Sequence, residues 1–368
     1  MTFLVQAMLA SLLTALLIIW MRRPAHRFGL VDDPGGRKRH GDTVPLTGGI
    51  ALTAGFFLAL SLSLPALANH VVLLVSLLLL ALIGLLDDLG EVSPRTKLGA
   101  QLIAAVLMTS WANHFLIHLG DLFGRGDVAL LNWGIPLTVF ATAAMINGIN
   151  MLDGLDGLAG GMVFQILAFF AGFAYWAGDA NSLKIIVVLM GALSGFLLFN
   201  LPHRWRGHRR TFMGDAGSLV LGFAVAWFSI TLTQVPAQPG TGSDLAVSPV
   251  VMLWVTGVVL FDLFTVTVRR ILRRRDPAAA DRGHIHHILL RRGLSPARVL
   301  ALLLAANTAM AAAGTFAWWL GAPEAWLFAA YVLAGLGYLG LFLFPARLGR
   351  RRRPGRGDGS ERPGAAAP

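Results

Sequence analysis

The sequence predicts an all-α, polytopic integral membrane protein. Of its 368 residues, 56% are hydrophobic and only 13% are charged, and the mean hydropathy is +0.67. This composition is typical of chains that place most of their side chains in lipid or against one another. The chain contains no cysteine, which excludes disulfides, thiolate nucleophiles and zinc–cysteine sites.

The apolar residues form eleven runs, each near the ~20 residues that a helix needs to cross a bilayer. In chain order the runs are Phe3–Met21, Gly48–Ala68, Val71–Leu86, Leu98–Leu119, Trp133–Ile146, Leu158–Trp176, Leu183–Leu201, Ala216–Thr233, Pro249–Val268, Ala297–Leu320 and Ala325–Phe344. No small-residue cleavage site follows the first run, so we expect a retained helix there. We expect one membrane domain, 1–345, and a basic, Gly/Pro-rich disordered cytoplasmic tail, 346–368.

The basic residues alternate sharply between the segments that join these runs. Of the 30 Lys and Arg residues, 28 lie in the segments 22–47, 87–97, 200–214, 269–298 and the tail from 346. Only Arg125 and Lys184 lie in the opposite set. The positive-inside rule therefore predicts an outside N-terminus and a cytoplasmic C-terminus, as an odd number of spans requires. The net charge of +11 then reflects topology and attraction to anionic headgroups, and no nucleic acid partner is expected.

The most polar stretch among the spans is Asn147–Leu158, between the fifth and sixth runs. Two Asn and two Asp recur there every third residue, at 147, 150, 153 and 156. Such side chains are costly to desolvate and need partners or a water-filled cavity. The period of three would stack them on one helix face, whereas two Asp-Gly pairs indicate a turn. A loop that merely caps two helices explains one of these residues, so four favour a functional site.

Three further polar clusters fall on the same predicted cytoplasmic face. Asp87 and Asp88 end the third run, Phe212–Ser218 opens the eighth, and the histidine-rich segment 281–287 follows the ninth. Each has a structural alternative: the Asp pair could simply face water, Asp215 could cap a helix, and the histidines could be interfacial. Their joint occurrence on one face favours a single site.

The mixture of acids and bases indicates phosphate chemistry. Carboxylates that repel one another favour a cation, and Mg²⁺ is typically held by one or two carboxylates plus substrate phosphates. The basic stretch Arg37–Arg39 and the histidines could neutralise the remaining phosphate charge, as phosphoryl transfer requires. A metal site built from the histidines is the less favoured alternative. There is no GxxxxGK[ST] loop for an ATP motor, and a site at the bilayer surface suggests a lipid substrate.

Five motifs in register resemble those of the polyprenyl-phosphate N-acetylhexosamine-1-phosphate transferase superfamily. They are Arg37–His40 with Gly48-Gly49, Asp87-Asp88, Asn147–Gly157, Phe212–Ser218 and His284–His287. The resemblance implies Mg²⁺-dependent transfer, with Mn²⁺ as an alternative ion, of a sugar 1-phosphate from a UDP-sugar to undecaprenyl phosphate, releasing UMP. The His-Ile-His-His form is similar to the branch that uses UDP-N-acetylglucosamine for O-antigen lipopolysaccharide, common antigen or teichoic-acid linkage. The basic run His203–Arg210 departs from the shortest loops of the family.

Carried over by motif position, the resemblance implies three groups of site residues. Asp215 would be a metal ligand, and Asp87 would act as base on the lipid phosphate or as a metal partner with Asp88. The nucleoside pocket would be formed by Asn150, Asp153, Asp156, Asn200 and Phe212, the last stacking on uracil. The diphosphate would be bound by Lys38, His284, His286 and His287. Asp262, inside the ninth run, has no role in this scheme.

Three alternatives remain at this point. The peptidoglycan lipid I branch usually shows three consecutive histidines, which Ile285 interrupts here. An ion-coupled transporter would place its acids at the membrane midplane, often with internal repeats, and a scaffold would need no clustered acids. The expected partners are a UDP-N-acetylhexosamine, undecaprenyl phosphate and the lipid bilayer, with a homodimer left open. The expected location is the inner (plasma) membrane, with the active site on the cytoplasmic face.

Overall fold

Helices make up most of the structure, a computed structural model that describes residues 2–32, 43–62, 70–90, 92–202, 209–236, 246–274 and 283–343. The helices within these ranges are α1 (Phe3–Phe28), α2 (Gly48–Ser61), α3 (Val71–Leu89), α4 (Pro94–Ser110), α5 (Gly134–Leu152), α6 (Leu158–Trp176), α7 (Ala180–Asn200), α8 (Gly214–Thr231), α9 (Pro249–Val255), α10 (Gly257–Leu272), α11 (Ile285–Arg291), α12 (Pro296–Trp319) and α13 (Glu324–Leu343). Two short strands, β1 (Val31–Asp32) and β2 (Val44–Pro45), pair antiparallel. The predicted site residue Lys38 and the predicted tail 346–368 lie outside the described residues.

Within the described residues, each predicted apolar run overlaps a helix, although α4 ends at Ser110, nine residues before the predicted end of its run. Among the described residues, eight helices are long and apolar enough to cross a membrane: α1, α3, α5, α6, α7, α8, α12 and α13. The prediction of a helical, polytopic protein is confirmed at this level. The α2 helix has only 14 residues and α4 has 17, so the count of eleven spans and the direction of the termini remain predictions.

The ninth predicted run is broken in the structure. Helices α9 and α10 meet at Thr256 and bend by 75°, where the sequence predicted a continuous span. The Thr256 hydroxyl donates to the Met252 carbonyl at 2.7 Å, a back-bond that often bends helices. Gly257 follows directly, and a glycine at a kink imposes no side-chain clash. The break is therefore encoded locally, in a Thr-Gly pair.

Helix α8 is the centre of the bundle, and its residues from Ala216 to Phe228 are all buried. Glycines bring its neighbours into backbone contact: a Cβ on Gly49 of α2 would collide with Gly217, and one on Gly84 of α3 would collide with Ala216. Small residues at such contacts let helices approach closely. Two backbone bonds, from the Gly48 and Gly49 N–H groups to the carbonyls of residues 212 and 213 at 3.0 and 2.9 Å, fix the start of α2 against the start of α8.

Polar residues from several helices meet at one end of the bundle. Helices α3, α5 and α7 end there, whereas α4, α6 and α8 begin there, as their side-chain contacts show. Neighbouring spans that alternate in direction place every second connection on the same side. The predicted polar clusters lie in or beside those connections, and the fold brings several of them together.

Candidate functional site

A lysine joins the two predicted acidic clusters. The Lys97 ammonium, in the first turn of α4, lies 2.8 Å from Oδ2 of Asp87 and 2.8 Å from Oδ2 of Asp215. Ser93 caps this helix by accepting from the Thr96 N–H at 3.1 Å. One cation therefore holds carboxylates from α3 and α8 at a single point.

Sequence reasoning did not include Lys97, because a basic residue near a span was attributed to membrane topology. A signal was present: a lysine in the first turn of a helix opposes the positive end of the helix dipole. A lysine at this position is stabilised only if acidic side chains from other parts of the chain lie close to it. Asp87, at the end of the preceding helix and ten residues earlier in the chain, is one such partner.

Asn150 holds the second oxygen of Asp215. Its amide donates to Oδ1 of Asp215 at 3.0 Å and is 2.8 Å from the Ser218 hydroxyl. Asn147, one turn earlier, instead donates to Gln101 of α4 at 2.7 Å. Helix α5 thus continues through the first two members of the period-three stretch, and it turns only at Asp153. The first half of the stretch, with Asn147 and Asn150, is therefore helical, and the second half, with Asp153 and Asp156, forms the turn that the Asp-Gly pairs predicted.

Asp88 has a different set of partners from its neighbour Asp87. Its Oδ1 accepts from the Asp215 N–H at 2.8 Å, and its Oδ2 accepts from the Ala216 N–H at 3.1 Å. Gly214 precedes them at φ +69°, and a Cβ there would collide with the Asp88 carboxylate. Asp88 therefore caps the start of α8 from another helix. Neighbouring residues on a helix point about 100° apart, which explains the division of partners.

The residues predicted for a nucleoside pocket lie around the start of α6 and the segment before α8. Asn200 is only 3% exposed; its Oδ1 accepts from the Gly157 N–H at 2.7 Å, and its amide donates to the Thr211 carbonyl at 2.9 Å. It therefore connects two loops of the site. Its place at the end of α7 determines the relative position of these loops.

Phe212, predicted to stack on uracil, has a cation beside its ring. The Arg210 guanidinium carbon lies 4.6 Å from the ring centroid of Phe212, a cation–π contact. The same guanidinium donates to Oδ1 of Asp156 at 2.8 Å. Arg210 thus couples the predicted aromatic platform to the turn after α5. It belongs to the basic run that departs from the shortest family loops, and sequence reasoning gave it no role in the site.

Asp153 lies in the turn between α5 and α6, near the other acids of the site. Burial raises the pKa of its carboxyl well above the ordinary value, and the charges of Asp215, Asp88 and Asp156 raise this pKa further. Burial makes the largest contribution to this shift, and the neighbouring carboxylates add to it. The arrangement favours a cationic group or ligand at this end of the bundle.

The predicted histidine segment opens α11. The Nδ1 of His284 lies 2.8 Å from Oδ2 of Asp262, and the His284 and His286 rings are near parallel, with centroids 6.0 Å apart. His287 lies close to His286, with ring centroids 4.1 Å apart. A Cβ on Gly154 would collide with the His286 ring, so this segment lies against the turn between α5 and α6. Burial lowers the pKa of His286 to about 3, so its ring is neutral at physiological pH.

Several known proteins are similar to this chain over most of its length. The undecaprenyl-phosphate alpha-N-acetylglucosaminyl 1-phosphate transferase of Haemophilus influenzae is 34% identical over 299 residues, which cover 81% of this chain and 82% of that protein. The model of glycosyl transferase family 4 matches residues 70–233, a stretch that contains Asp87, Lys97 and Asp215. The chain belongs to glycosyl transferase family 4. Two more relatives carry the same name: that of Escherichia coli K12 is 32% identical over 83% of this chain and 81% of that protein, and that of Yersinia pestis is 31% identical over 86% and 85%.

The carboxylates of this family 4 member suit a metal shared with a substrate. Within the part of the chain that the structure describes, no three acidic or histidine side chains converge on one metal position. Asp87 and Asp215 nevertheless reach a single cation, the Lys97 ammonium. Two hard oxygen donors fit Mg²⁺, which usually completes its shell with water and substrate phosphates.

The capping role of Asp88 is testable by an isosteric change. In Asp88→Asn, one oxygen is replaced by an amide nitrogen, which leaves one N–H of α8 without an acceptor, at a cost of about 1–3 kcal/mol. We expect a lower thermal unfolding midpoint in detergent. Asp121→Asn is the matched control. The N–H groups of Arg125 and Gly126 both donate to Oδ1 of Asp121, at 2.8 and 3.0 Å, and asparagine retains this oxygen. Equal midpoints for the two variants would contradict the capping role.

The raised pKa of Asp153 has a defined effect on stability. The folded protein binds this proton more tightly than the unfolded chain, so stability falls as pH rises from the ordinary pKa of 3.8 through the raised one. Asp153→Asn removes that loss. With EDTA and without nucleotide, we expect the midpoint of the variant, relative to the unmodified protein, to be higher at about pH 8 than at about pH 4. A difference that is constant with pH, or larger in acid, would show that Asp153 is not strained by its neighbours.

Proposed function

We propose that the protein transfers N-acetylglucosamine 1-phosphate, or a related N-acetylhexosamine 1-phosphate, from the UDP-sugar to undecaprenyl phosphate. An oxygen of the lipid phosphate would attack the phosphorus that carries the sugar, and the bond from that phosphorus to UMP would break. UMP leaves, and the lipid-linked diphosphate sugar remains. The printed names of the relatives support the substrates. The single observation that carries the proposal is the meeting of Asp87, Asp215 and Lys97 at one end of an apolar bundle.

Asp87 and Asp215 would hold the metal, Mg²⁺ or alternatively Mn²⁺. When bound, the ion would neutralise charge on the diphosphate during transfer. Asn150 orients Asp215 by donating to its other oxygen, and Asp88 fixes the backbone of Asp215. Asp88 therefore supports a metal ligand in this proposal, rather than binding the metal itself.

Lys97 supplies a positive charge next to both carboxylates, and we assign it to the diphosphate. Asp87 would neutralise and orient rather than remove a proton. A phosphate monoester has a second pKa of roughly 6, so the lipid phosphate is mostly ionised at neutral pH and a base adds little.

The uridine would bind beside Phe212, Asp153 and Asp156. The contacts of Asn150 and Asn200 with protein groups support positioning roles for these two residues, because their amides already bridge site elements. The diphosphate would lie toward the histidine segment at the start of α11, and the family resemblance adds Lys38, which is outside the described residues. His286, which is neutral, would act as a hydrogen-bonding group, not as a cation.

We further propose that the protein lies in the inner membrane with eleven spans and with this site on the cytoplasmic face. The site contacts come from helix ends at one end of the bundle, and most basic residues of the chain flank those same ends. The lipid phosphate of undecaprenyl phosphate lies at headgroup depth, where these carboxylates and Lys97 would meet it.

The proposal predicts a strict dependence on two substrates and a metal. Detergent-purified protein should release UMP from UDP-N-acetylglucosamine only with both undecaprenyl phosphate and Mg²⁺, and a panel of UDP-N-acetylhexosamines should rank the sugars. Asp215→Asn keeps the side-chain shape but loses the metal-binding charge, so we expect its rate to fall by about 100-fold or more. Asp121→Asn, at the opposite end of the bundle, should retain the rate. UMP release without the lipid, or full activity in Asp215→Asn, would contradict the proposal.

A further inference from the structure

A buried acid within α10 reaches the start of the histidine segment. Asp262 is 3% exposed. Its Oδ2 lies 2.8 Å from Nδ1 of His284, and its Oδ1 accepts from the Ile285 N–H at 2.9 Å. The Tyr338 hydroxyl of α13 lies 3.3 Å from the same Oδ1. Two turns along α10, Arg269 donates to the Gly283 carbonyl at 3.0 Å.

These contacts commit one ring nitrogen of His284 to Asp262. An ionised carboxylate only accepts hydrogen bonds, so the Nδ1 that faces Asp262 must be the donor. The oxygens of a diphosphate only accept hydrogen bonds, so the other ring nitrogen, Nε2, can bind them only as a second donor, which requires the ring to carry both protons. A carboxylate behind a histidine orients the ring in the same way at many metal and catalytic sites. The bond from the Ile285 N–H to Oδ1, at 2.9 Å, keeps the carboxylate from turning away.

A purely structural cap would not require an acid at this position. Asn, Ser or Thr can accept from a backbone N–H at a helix start, and each would avoid placing a carboxylate inside an apolar helix. Ionisable side chains are costly within membrane spans. The additional bond to Nδ1 of His284 is what a carboxylate provides and a neutral cap does not.

We propose that Asp262 is a positioning residue for the transfer reaction, holding His284 with Nδ1–H toward α10 and Nε2–H toward the diphosphate of the nucleotide sugar. This inference rests on the proposed function, in which His284 binds the diphosphate. Among the described residues, the other charged or titratable groups of α10, α11 and α13 are Arg269, Arg270, His286, His287, Arg291, Glu324, Tyr331 and Tyr338. No covalent step involves Asp262; it acts through the ring that it orients.

The test combines two single variants with their double variant. Asp262→Asn offers one oxygen in place of two, so it cannot accept from both His284 and Ile285 in the present arrangement. We expect weaker binding of UDP-N-acetylglucosamine by calorimetry and a lower kcat/KM, both by about 10- to 100-fold, with uridine binding unchanged. In the Asp262→Asn/His284→Gln double variant the losses should not add, and it should match His284→Gln alone. Tyr338→Phe, which removes only the 3.3 Å contact to the same carboxylate, is the matched control and should stay close to the unmodified protein.

Each contrary result has a distinct meaning. Losses that multiply in the double variant, or uridine binding that weakens as much as UDP-sugar binding, would overturn the positioning role in favour of a general structural one. Normal UDP-sugar binding in Asp262→Asn, with a defect in His284→Gln, would also overturn it. If Asp262→Asn does not fold, Asp262→Glu moves the same carboxylate and should give the same selective loss. Failure of the unmodified protein to release UMP would count against the proposed function, while the binding measurements would still decide the role of Asp262.

Discussion

The salt bridge from Lys97 to both Asp87 and Asp215 is the interaction on which the rest of the site depends. Two carboxylates from different helices repel one another at the edge of an apolar bundle, where water screens them only in part. One ammonium, 2.8 Å from each, offsets that repulsion and draws α3, α4 and α8 together. A divalent metal between Asp87 and Asp215 would neutralise both carboxylates, and Lys97 could then pair with the diphosphate, which links the stability of the site to its proposed chemistry.

The surrounding fold restricts the freedom of these three side chains. Asp88 fixes the backbone at Asp215, and Asn150 holds its second oxygen. Glycines allow α2, α3 and α8 to approach at backbone distance, so a small displacement of one helix would move the acids apart. On the other side, Asp262 and Arg269 hold the start of α11. The site is therefore built by helix ends that their neighbours fix in place, rather than by one loop.

The sequence predicted the parts of this arrangement that follow from local pattern. Hydropathy located the helices, and the alternation of basic segments placed Asp87 and Asp215 on one face before any contact was known. Lys97 was missed because a lysine beside a span has an ordinary explanation in topology. The Asp262–His284 contact joins residues 22 apart in the chain through the packing of α10 against α11, which no local pattern encodes. Lys38 belongs to the expected diphosphate site but lies outside the part of the chain that the structure describes.

The central claim is that Asp87 and Asp215 form one cation site with the substrate phosphates. Electron paramagnetic resonance of Mn²⁺, titrated into the purified protein with UDP present, measures this site without turnover. We expect one bound Mn²⁺ that Mg²⁺ displaces, and loss of this binding in both Asp87→Asn and Asp215→Asn but not in Asp121→Asn. Unchanged Mn²⁺ binding in either of the first two variants would contradict it.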